Sequence, residues 1–329
     1  MAVPRTAIYA VSDSRFFLGA VALVNSLRLV GHEEPIFLVD AGLTLEQRRL
    51  LSDHVTIISA SEGEHSVFLM PFGPLEHPAE VAVLLDVDII VLRPLTELIE
   101  AARGGRLVAF VNSEPNHDRF FPEWSQALEL GPMQRRPYLA AGQLFVPQAL
   151  GERLLPLWAE GQRKISLATT RYGRARLTDP FYFADMDVFN AIVAARLEDD
   201  ELVMIEHRLA PHPPFADVRL IDADGLACRY TDGTQPFLLH HILGKPWLTA
   251  TRTTLYSLLL PRLLLSDDVA LRLEPKDLPL RLRGGWFAAA DRFRTDVQAA
   301  VYWNTRWQLG RFGIRTRLAE ARQRRAARA

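Results

Sequence analysis

Short apolar runs alternate with segments of helical periodicity along most of this chain, and the alternation predicts its fold class. Residues 7–11 are almost wholly apolar and read as a buried strand, followed by a turn through Ser12-Asp13-Ser14. From 16 to 30 the apolar positions fall at helical spacing, and the pattern stops at Gly31. A strand at 35–40, a helix at 43–52 and a strand at 55–58 complete a βαβαβ unit. Strands follow at 81–86 and 107–111 around a helix at 94–102, then a strand at 143–146, a helix at 148–163 and a helix at 185–196. Shorter strands fall at 201–205, 218–221 and 236–239. This order predicts an α/β fold with a mostly parallel sheet and helices on both faces. Ligands of such a sheet gather beyond the carboxyl ends of its strands. Asp13 and Asp86 both stand at such ends. Residues 112–140, rich in proline, tryptophan and charge, read as a loop and helix over the sheet edge, a lid. Without a repeat or a Ser/Gly linker, the boundary falls near 250, between an α/β domain (1–250) and a helical C-terminal extension (251–329).

Composition narrows the picture in three places. The single cysteine, Cys228, excludes an internal disulfide and any zinc site built from several thiolates. The first residues run straight into the strand at 7–11, and the longest late apolar run, 255–265, is broken by Pro261 and Arg262. A cytoplasmic protein without a membrane-spanning helix is expected. The net charge of -1 is polarised: residues 281–329 carry twelve Arg against Asp291, Asp296 and Glu320, a local +9 that leaves -10 for the rest. Lys164, Lys245 and Lys276 are the only lysines among 38 basic residues, so a lysine at 245 stands out.

Asp-x-Asp occurs three times, and context separates the copies. Asp222 and Asp224 lie between two short polar strands and read as a hairpin turn. Asp185 precedes a helical pattern and reads either as a cap or as a functional carboxylate, with Asp187 beside it. Asp86 and Asp88 follow the apolar run Val81-Ala82-Val83-Leu84-Leu85 and precede another, 89–92. Two carboxylates in so apolar a stretch cost several kcal/mol unless paired or bound to metal. They offer hard oxygen ligands at the mouth of the sheet, where a divalent cation holds a diphosphate. Far downstream, His240-His241-Ile242-Leu243-Gly244-Lys245-Pro246-Trp247 supplies imidazoles that suit Mn²⁺-like ions beside two carboxylates, a glycine for close approach and a lysine for phosphate.

These segments together resemble the family 8 glycosyltransferases, a group of GT-A fold. The resemblance runs from about residue 6 to 250. It rests on Ala10-Val11-Ser12-Asp13 with residues 19–27, Leu85-Asp86-Val87-Asp88, Tyr138-Leu139-Ala140-Ala141-Gly142, Asp185-Met186-Asp187-Val188-Phe189-Asn190, and His241 to Trp247. It implies a metal-dependent, configuration-retaining transferase that uses a UDP-sugar donor and a glycan, glycolipid or other hydroxyl acceptor. By the same resemblance Ala10, Ser12, Asp13 and Phe16 line a uridine pocket, and Asp86 and Asp88 hold Mn²⁺ (or Mg²⁺) with His241, His240 remaining a candidate. Lys245 contacts the diphosphate, Asp185 and Asp187 are the catalytic carboxylates, and Ala140, Ala141, Gly142 and Gly244 border the sugar. Ala140 stands where the family usually has Asn, and Met186 where it usually has Gln. A relative that binds UDP-sugar but has lost transfer is therefore the alternative. A sugar-phosphate nucleotidyltransferase is disfavoured, since Ser12-Asp13-Ser14-Arg15 is no glycine-rich phosphate loop.

The extension adds Trp286, Phe287, Tyr302, Trp303, Trp307 and Phe312 among its arginines. It reads either as a helical tail packed on the domain or as a helix on an anionic membrane surface at the inner face. Nucleic acid is not expected as a partner.

Overall fold

A computed structural model describes residues 3–60, 65–113, 116–242, 244–249, 252–283 and 285–311, the span 302–311 by backbone alone. Leu243 and Phe312, named above, lie outside the described residues, as does the extension beyond 311. The chain runs β1 (Thr6–Ser12), α1 (Phe17–Leu29), β2 (Ile36–Asp40), α2 (Leu45–Leu51), β3 (Thr56–Ser59), α3 (Phe72–Glu76) and β4 (Val81–Leu85). It continues with β5 (Ile89–Val91), α4 (Thr96–Arg103), β6 (Leu107–Val111), α5 (Glu123–Leu128), β7 (Leu139–Pro147), α6 (Gln148–Lys164) and α7 (Asp185–Arg196). Last come β8 (Leu202–Ile205), β9 (Arg219–Asp222), β10 (Ala227–Arg229), β11 (Leu238–His240), α8 (Leu255–Leu265) and α9 (Trp286–Arg311).

Seven strands form one sheet in the order β3-β2-β1-β4-β7-β6-β8. Only β7 runs against the others: it pairs antiparallel with β4 and β6, while β1–β2, β2–β3, β1–β4 and β6–β8 are parallel. β4 is buried at every position, which is why its sequence is a continuous apolar run rather than an alternating one. Ile8, Val83 and Phe110 on one face pack with Leu23 of α1, Ile99 of α4 and Leu260 of α8. Tyr9, Leu84 and Leu144 on the other pack with Trp158 of α6 and Phe189 of α7.

The structure corrects the strand reading at two points. β7 begins at Leu139 rather than 143, because Leu139 pairs with Val111 of β6 and the poor strand formers Ala140, Ala141 and Gly142 follow it at a shift in register before the regular pairing resumes. Residues 89–91 form the separate strand β5, whose partner β11 lies far along the chain: Ile89 faces His240 and Val91 faces Leu238. The Asp222 turn is as expected, its carboxylate accepting from the backbone N–H of Asp224 at 3.0 Å and Gly225 at 3.1 Å.

Chain beyond 250 is tied to the first helix. Buried Asn25 of α1 donates to the carbonyls of Leu263 (2.7 Å) and Leu271 (2.8 Å) and accepts from Leu271 N–H (2.8 Å). Its neighbour Ser26 accepts from Val91 N–H at 3.1 Å, fastening β5 to the same helix.

Candidate active site

The carboxylate pair sits where β4 ends. Asp86 N–H donates to Gly142 carbonyl at 2.8 Å, the last bond of the β4–β7 ladder, and the chain then turns through Val87 and Asp88 into β5. β11 runs back along β5 and delivers His240 over that turn. His240 Nε2 stands 3.0 Å from Asp88 Oδ1 and 3.4 Å from Asp86 Oδ2. One ligand atom from each of Asp86, Asp88 and His240 lies within 4.8 Å of the others, a spacing that can hold a cation.

Strand alternation decides between the two histidines. Successive side chains on an extended strand point to opposite faces. With His240 turned to the carboxylates, His241 turns its ring into the core against Tyr256 (5.0 Å) and Phe215 (6.1 Å), with neither ring nitrogen hydrogen-bonded. Of the two candidate histidines, His240 stands beside the carboxylates and His241 does not. Burial and the nearby Lys245 ammonium lower His241 to about 4, keeping it neutral. Burial works the same way on His240, but Asp88 and Asp86 outweigh it and push that imidazole up to about 9. Edge-on behind His240 at 5.2 Å is His212, which the sequence did not single out.

Lys245 is engaged with Asp88. Its ammonium donates to Asp88 Oδ2 and to the His241 carbonyl, nearly buried. Burial alone would raise the Asp88 carboxyl, yet Lys245 and His240 hold it well below the usual carboxylate range. Lys245 also stands 5.9 Å from the Phe16 ring centre, and Phe16 meets Trp247 edge-on at 6.3 Å. Trp247 Nε1 donates to Arg15 carbonyl at 2.8 Å. This convergence depends on Gly19, where a methyl group would lie 2.4 Å from Val87 carbonyl oxygen and 2.8 Å from the Trp247 ring.

Asp13 Oδ1 accepts from Arg15 N–H (2.8 Å) and Phe16 N–H (3.0 Å), closing the turn into α1, and Ser12 Oγ donates to Asp13 carbonyl at 3.1 Å. Ala10, Ser12, Ala140 and Ala141 are buried, and Gly244 lies on an exposed bend. Gly142 is the site's second close approach: a methyl there would stand 2.0 Å from Asp86 Oδ2 and 3.2 Å from His240 Cε1. Gly142→Ala is therefore expected to push Asp86 out of the cluster and weaken Mn²⁺ binding about 10–100-fold, the range for losing support around a metal ligand. Calorimetric metal titration measures this; unchanged affinity in a folded variant would refute the crowding.

Asp185 and Asp187 face different surroundings. Asp185 opens α7, and burial, with the charge of Asp86 adding to it, pushes its carboxyl up to about 8 against the pull of Arg171. Arg171 is a cation the sequence reading missed; its guanidinium donates to Tyr172 hydroxyl at 2.9 Å. Because the folded pKa of Asp185 lies above the unfolded value of 3.8, the folded state holds a proton that the unfolded chain loses between about pH 4 and pH 8. Its contribution to stability is complete below that window and lost as pH rises through it. Denaturant titrations of metal-free protein should show stability falling from about pH 5 to 8, and Asp185→Asn should flatten the slope. An equal slope in both proteins would contradict the raised Asp185 carboxyl.

Asp187 is fully occupied. Arg119 grips it with Nε to Oδ1 at 2.6 Å and Nη2 to Oδ2 at 2.9 Å, while Tyr138 hydroxyl (2.7 Å) and Phe183 N–H (2.6 Å) also donate to it. Arg119 further donates to the carbonyls of Leu177 and Asp179, both at 2.6 Å, so it pins the loop that leads to Asp185. That loop ends at Ala184, whose φ of 52° and ψ of -113° are strained for a residue with a side chain. Met186 points its sulfur at Asn112 Nδ2, 3.7 Å away. Asn190 accepts from Leu139 N–H (2.7 Å) and donates to its carbonyl (2.9 Å), fastening α7 to the start of β7.

The mixed sheet with one reversed strand, helices on both faces, and acidic and imidazole groups beyond the end of β4 define the GT-A glycosyltransferase fold, here with a C-terminal helix added. A structure of an active-site mutant of LgtC matches 82% of this chain and 98% of its own, at TM-score 0.55 and 16% identity. The galactosyltransferase LgtC in complex with donor and acceptor sugar analogues matches 80% and 98%, at TM-score 0.50 and 15% identity. The bifunctional glycosyltransferase WbbM, in its apo form, matches 80% of this chain and 49% of its own, at TM-score 0.54 and 14% identity. At such identities the likeness establishes the fold. No protein-family model and no curated protein matches the chain.

Proposed function

We propose that this chain is a metal-dependent glycosyltransferase that moves a hexose from a UDP-sugar to a hydroxyl of a glycan or glycolipid, with retention of anomeric configuration. The observation that carries the reading is the convergence of Asp86, Asp88 and His240 beyond β4, with Lys245 beside them. Those residues fit a divalent ion: the buried Asp88 Oδ1 has only the His240 imidazole, 3.0 Å away and itself a potential ligand, beside it, and two carboxylates with one imidazole suit a Mn²⁺-like ion. When bound, the ion supplies positive charge to the departing diphosphate. Lys245 is released from Asp88 and turns its ammonium to the same oxygens, adding a second preorganised charge. Asp13, Phe16 and the backbone at Ala10 and Ser12 bind the uridine end. Gly142 and Gly244, with the backbone of Ala140 and Ala141, leave room for the sugar. Asp185 faces the sugar or the acceptor hydroxyl, and Asp187, held by Arg119, keeps it in place. The setting is the cytoplasm, peripheral at the inner face of the membrane.

Met186 and Ala140 favour a second reading, a UDP-sugar-binding relative without transfer. Neither side chain offers a hydrogen-bond donor, and Ala140 is buried. Calorimetric titration of UDP and a panel of UDP-sugars with Mn²⁺ and with EDTA, followed by an assay of UDP release in the presence of glycan and glycolipid acceptors, separates the two. Metal-dependent binding with release from one donor supports the transferase. Tight binding with no release from any donor supports the second reading, and absence of UDP binding sinks both.

A further inference from the structure

The helix α9 is inverted relative to an ordinary surface helix. Its buried positions are small, Ala288, Thr295 and Ala299, and they face the 280–282 turn, where Arg292 Nη1 donates to Arg281 carbonyl at 3.1 Å. On the same side Asp296 accepts from Thr253 N–H. The large apolar side chains point the other way: Trp286 is 70% exposed, Phe293 71%, Val297 45% and Val301 59%. At 100° per residue these four fall within an arc of about 80°, opposite the packed face. Phe287, 60% exposed, stacks on Trp286 at 3.7 Å and widens the stripe at its start. A contiguous apolar stripe of this kind in water marks a surface that meets a partner.

The charge of the chain selects the partner. Residues 302–329, which continue directly from the stripe, carry eight Arg against Glu320 alone, a local +7. A second copy of the chain would cover the stripe but bring two such tails together, and a nucleic acid would neutralise the tail but leave the stripe in water. An anionic bilayer surface meets both demands, apolar rings entering the acyl boundary while arginines meet headgroups. Among the described residues no helix is long and apolar enough to cross a membrane, so the contact is one of lying on the surface. We infer that the Trp286–Phe293–Val297–Val301 face of α9 docks this protein on anionic lipid. The inference gives a surface to the peripheral location proposed above and does not depend on the donor or the metal.

Sedimentation of the full chain with vesicles tests it without sugar nucleotide or metal. Wild type should bind phosphatidylcholine vesicles containing about one-third phosphatidylglycerol, bind phosphatidylcholine alone far less, and lose affinity as salt rises. Phe293→Glu/Val297→Glu should lower affinity for the anionic vesicles about tenfold or more, with unchanged thermal unfolding and UDP binding. Phe293→Ser/Val297→Ser gives the same test without added negative charge. Wild-type affinity in both variants overturns the proposal, as does a wild-type chain that ignores anionic vesicles. Light scattering that shows a dimer dissolved by either variant, or RNA binding tighter than vesicle binding, overturns it in favour of the other partners. Failure to transfer sugar leaves these readouts untouched, so the two proposals fail separately.

Discussion

On the proposed function, Asp88→Ala is expected to abolish metal-dependent UDP binding and to lower transfer by about a thousandfold or more, the largest functional effect expected from one substitution. Asp88 is the junction of the site: one oxygen lies 3.0 Å from His240 Nε2, and the other holds the Lys245 ammonium. Its removal deletes a ligand and at the same time leaves Lys245 buried beside His241 carbonyl with no counter-charge. Asp86, whose side chain is 41% exposed against 11% for Asp88, is the lesser anchor, and Asp86→Ala should keep more residual binding. Titration of UDP with Mn²⁺ and with EDTA reads both effects. A folded Asp88→Ala protein that binds UDP with wild-type metal dependence would remove the β4 carboxylates from the mechanism.

Arg119→Met should destabilise the protein by about 3–5 kcal/mol, the cost of leaving a buried carboxylate without its partner. Asp187 is fully buried and the Arg119 side chain is 6% exposed, so bulk solvent does not replace the lost donors. The guanidinium also lies 4.6 Å from the Phe121 ring centre and 5.1 Å from that of Phe183, so packing is lost along with charge. Arg119→Met/Asp187→Leu should recover much of the stability, because an apolar pair of similar volume fills the site without a charge to solvate. Turnover should not recover, since the carbonyls of Leu177 and Asp179 remain unpinned and the loop no longer carries Ala184 and Asp185 into place. Thermal unfolding with a UDP-release assay separates the two. An Arg119→Met protein within about 1 kcal/mol of wild type would show the ion pair to be dispensable.

Much of this was legible in the sequence, for a physical reason in each case. Helix α6 announces itself through its spaced apolar positions, α1 and α7 through apolar runs of helical length that are buried almost without a break, and just past the end of α1 stands Gly31, whose φ of 89° only glycine adopts freely. β4 and its carboxylates were legible because five apolar residues that stop abruptly on charge mark a buried strand emerging at the rim of its sheet. β5 was hidden because three residues make no period, and its partner lies far along the chain. Which of His240 and His241 faces the carboxylates was hidden too, since it depends on one register, Ile89 opposite His240, which no local signal fixes. Arg119 looked like any arginine in a segment full of charge; only folding brings Asp187, 68 positions away, against it. Asn25 and Asn190 carried motif residues whose work proves to be fastening α8 and β7.

The reversed direction of β7 has a topological consequence. Its first residue, Leu139, pairs with Val111, the last residue of β6, so the chain leaves the sheet and re-enters it side by side at one rim. Everything between them is in effect one enlarged hairpin loop, hung on the rim where the carboxylates stand. The entropy of closing such a loop grows only logarithmically with its length. Residues can accordingly be inserted, deleted or exchanged at the exposed positions of that segment, while Arg119, Trp124 and Tyr138, which hold Asp187 or fill the core, and the two anchor points stay fixed. A fold wired in this way can vary the outer part of one loop without redrawing the sheet beneath it.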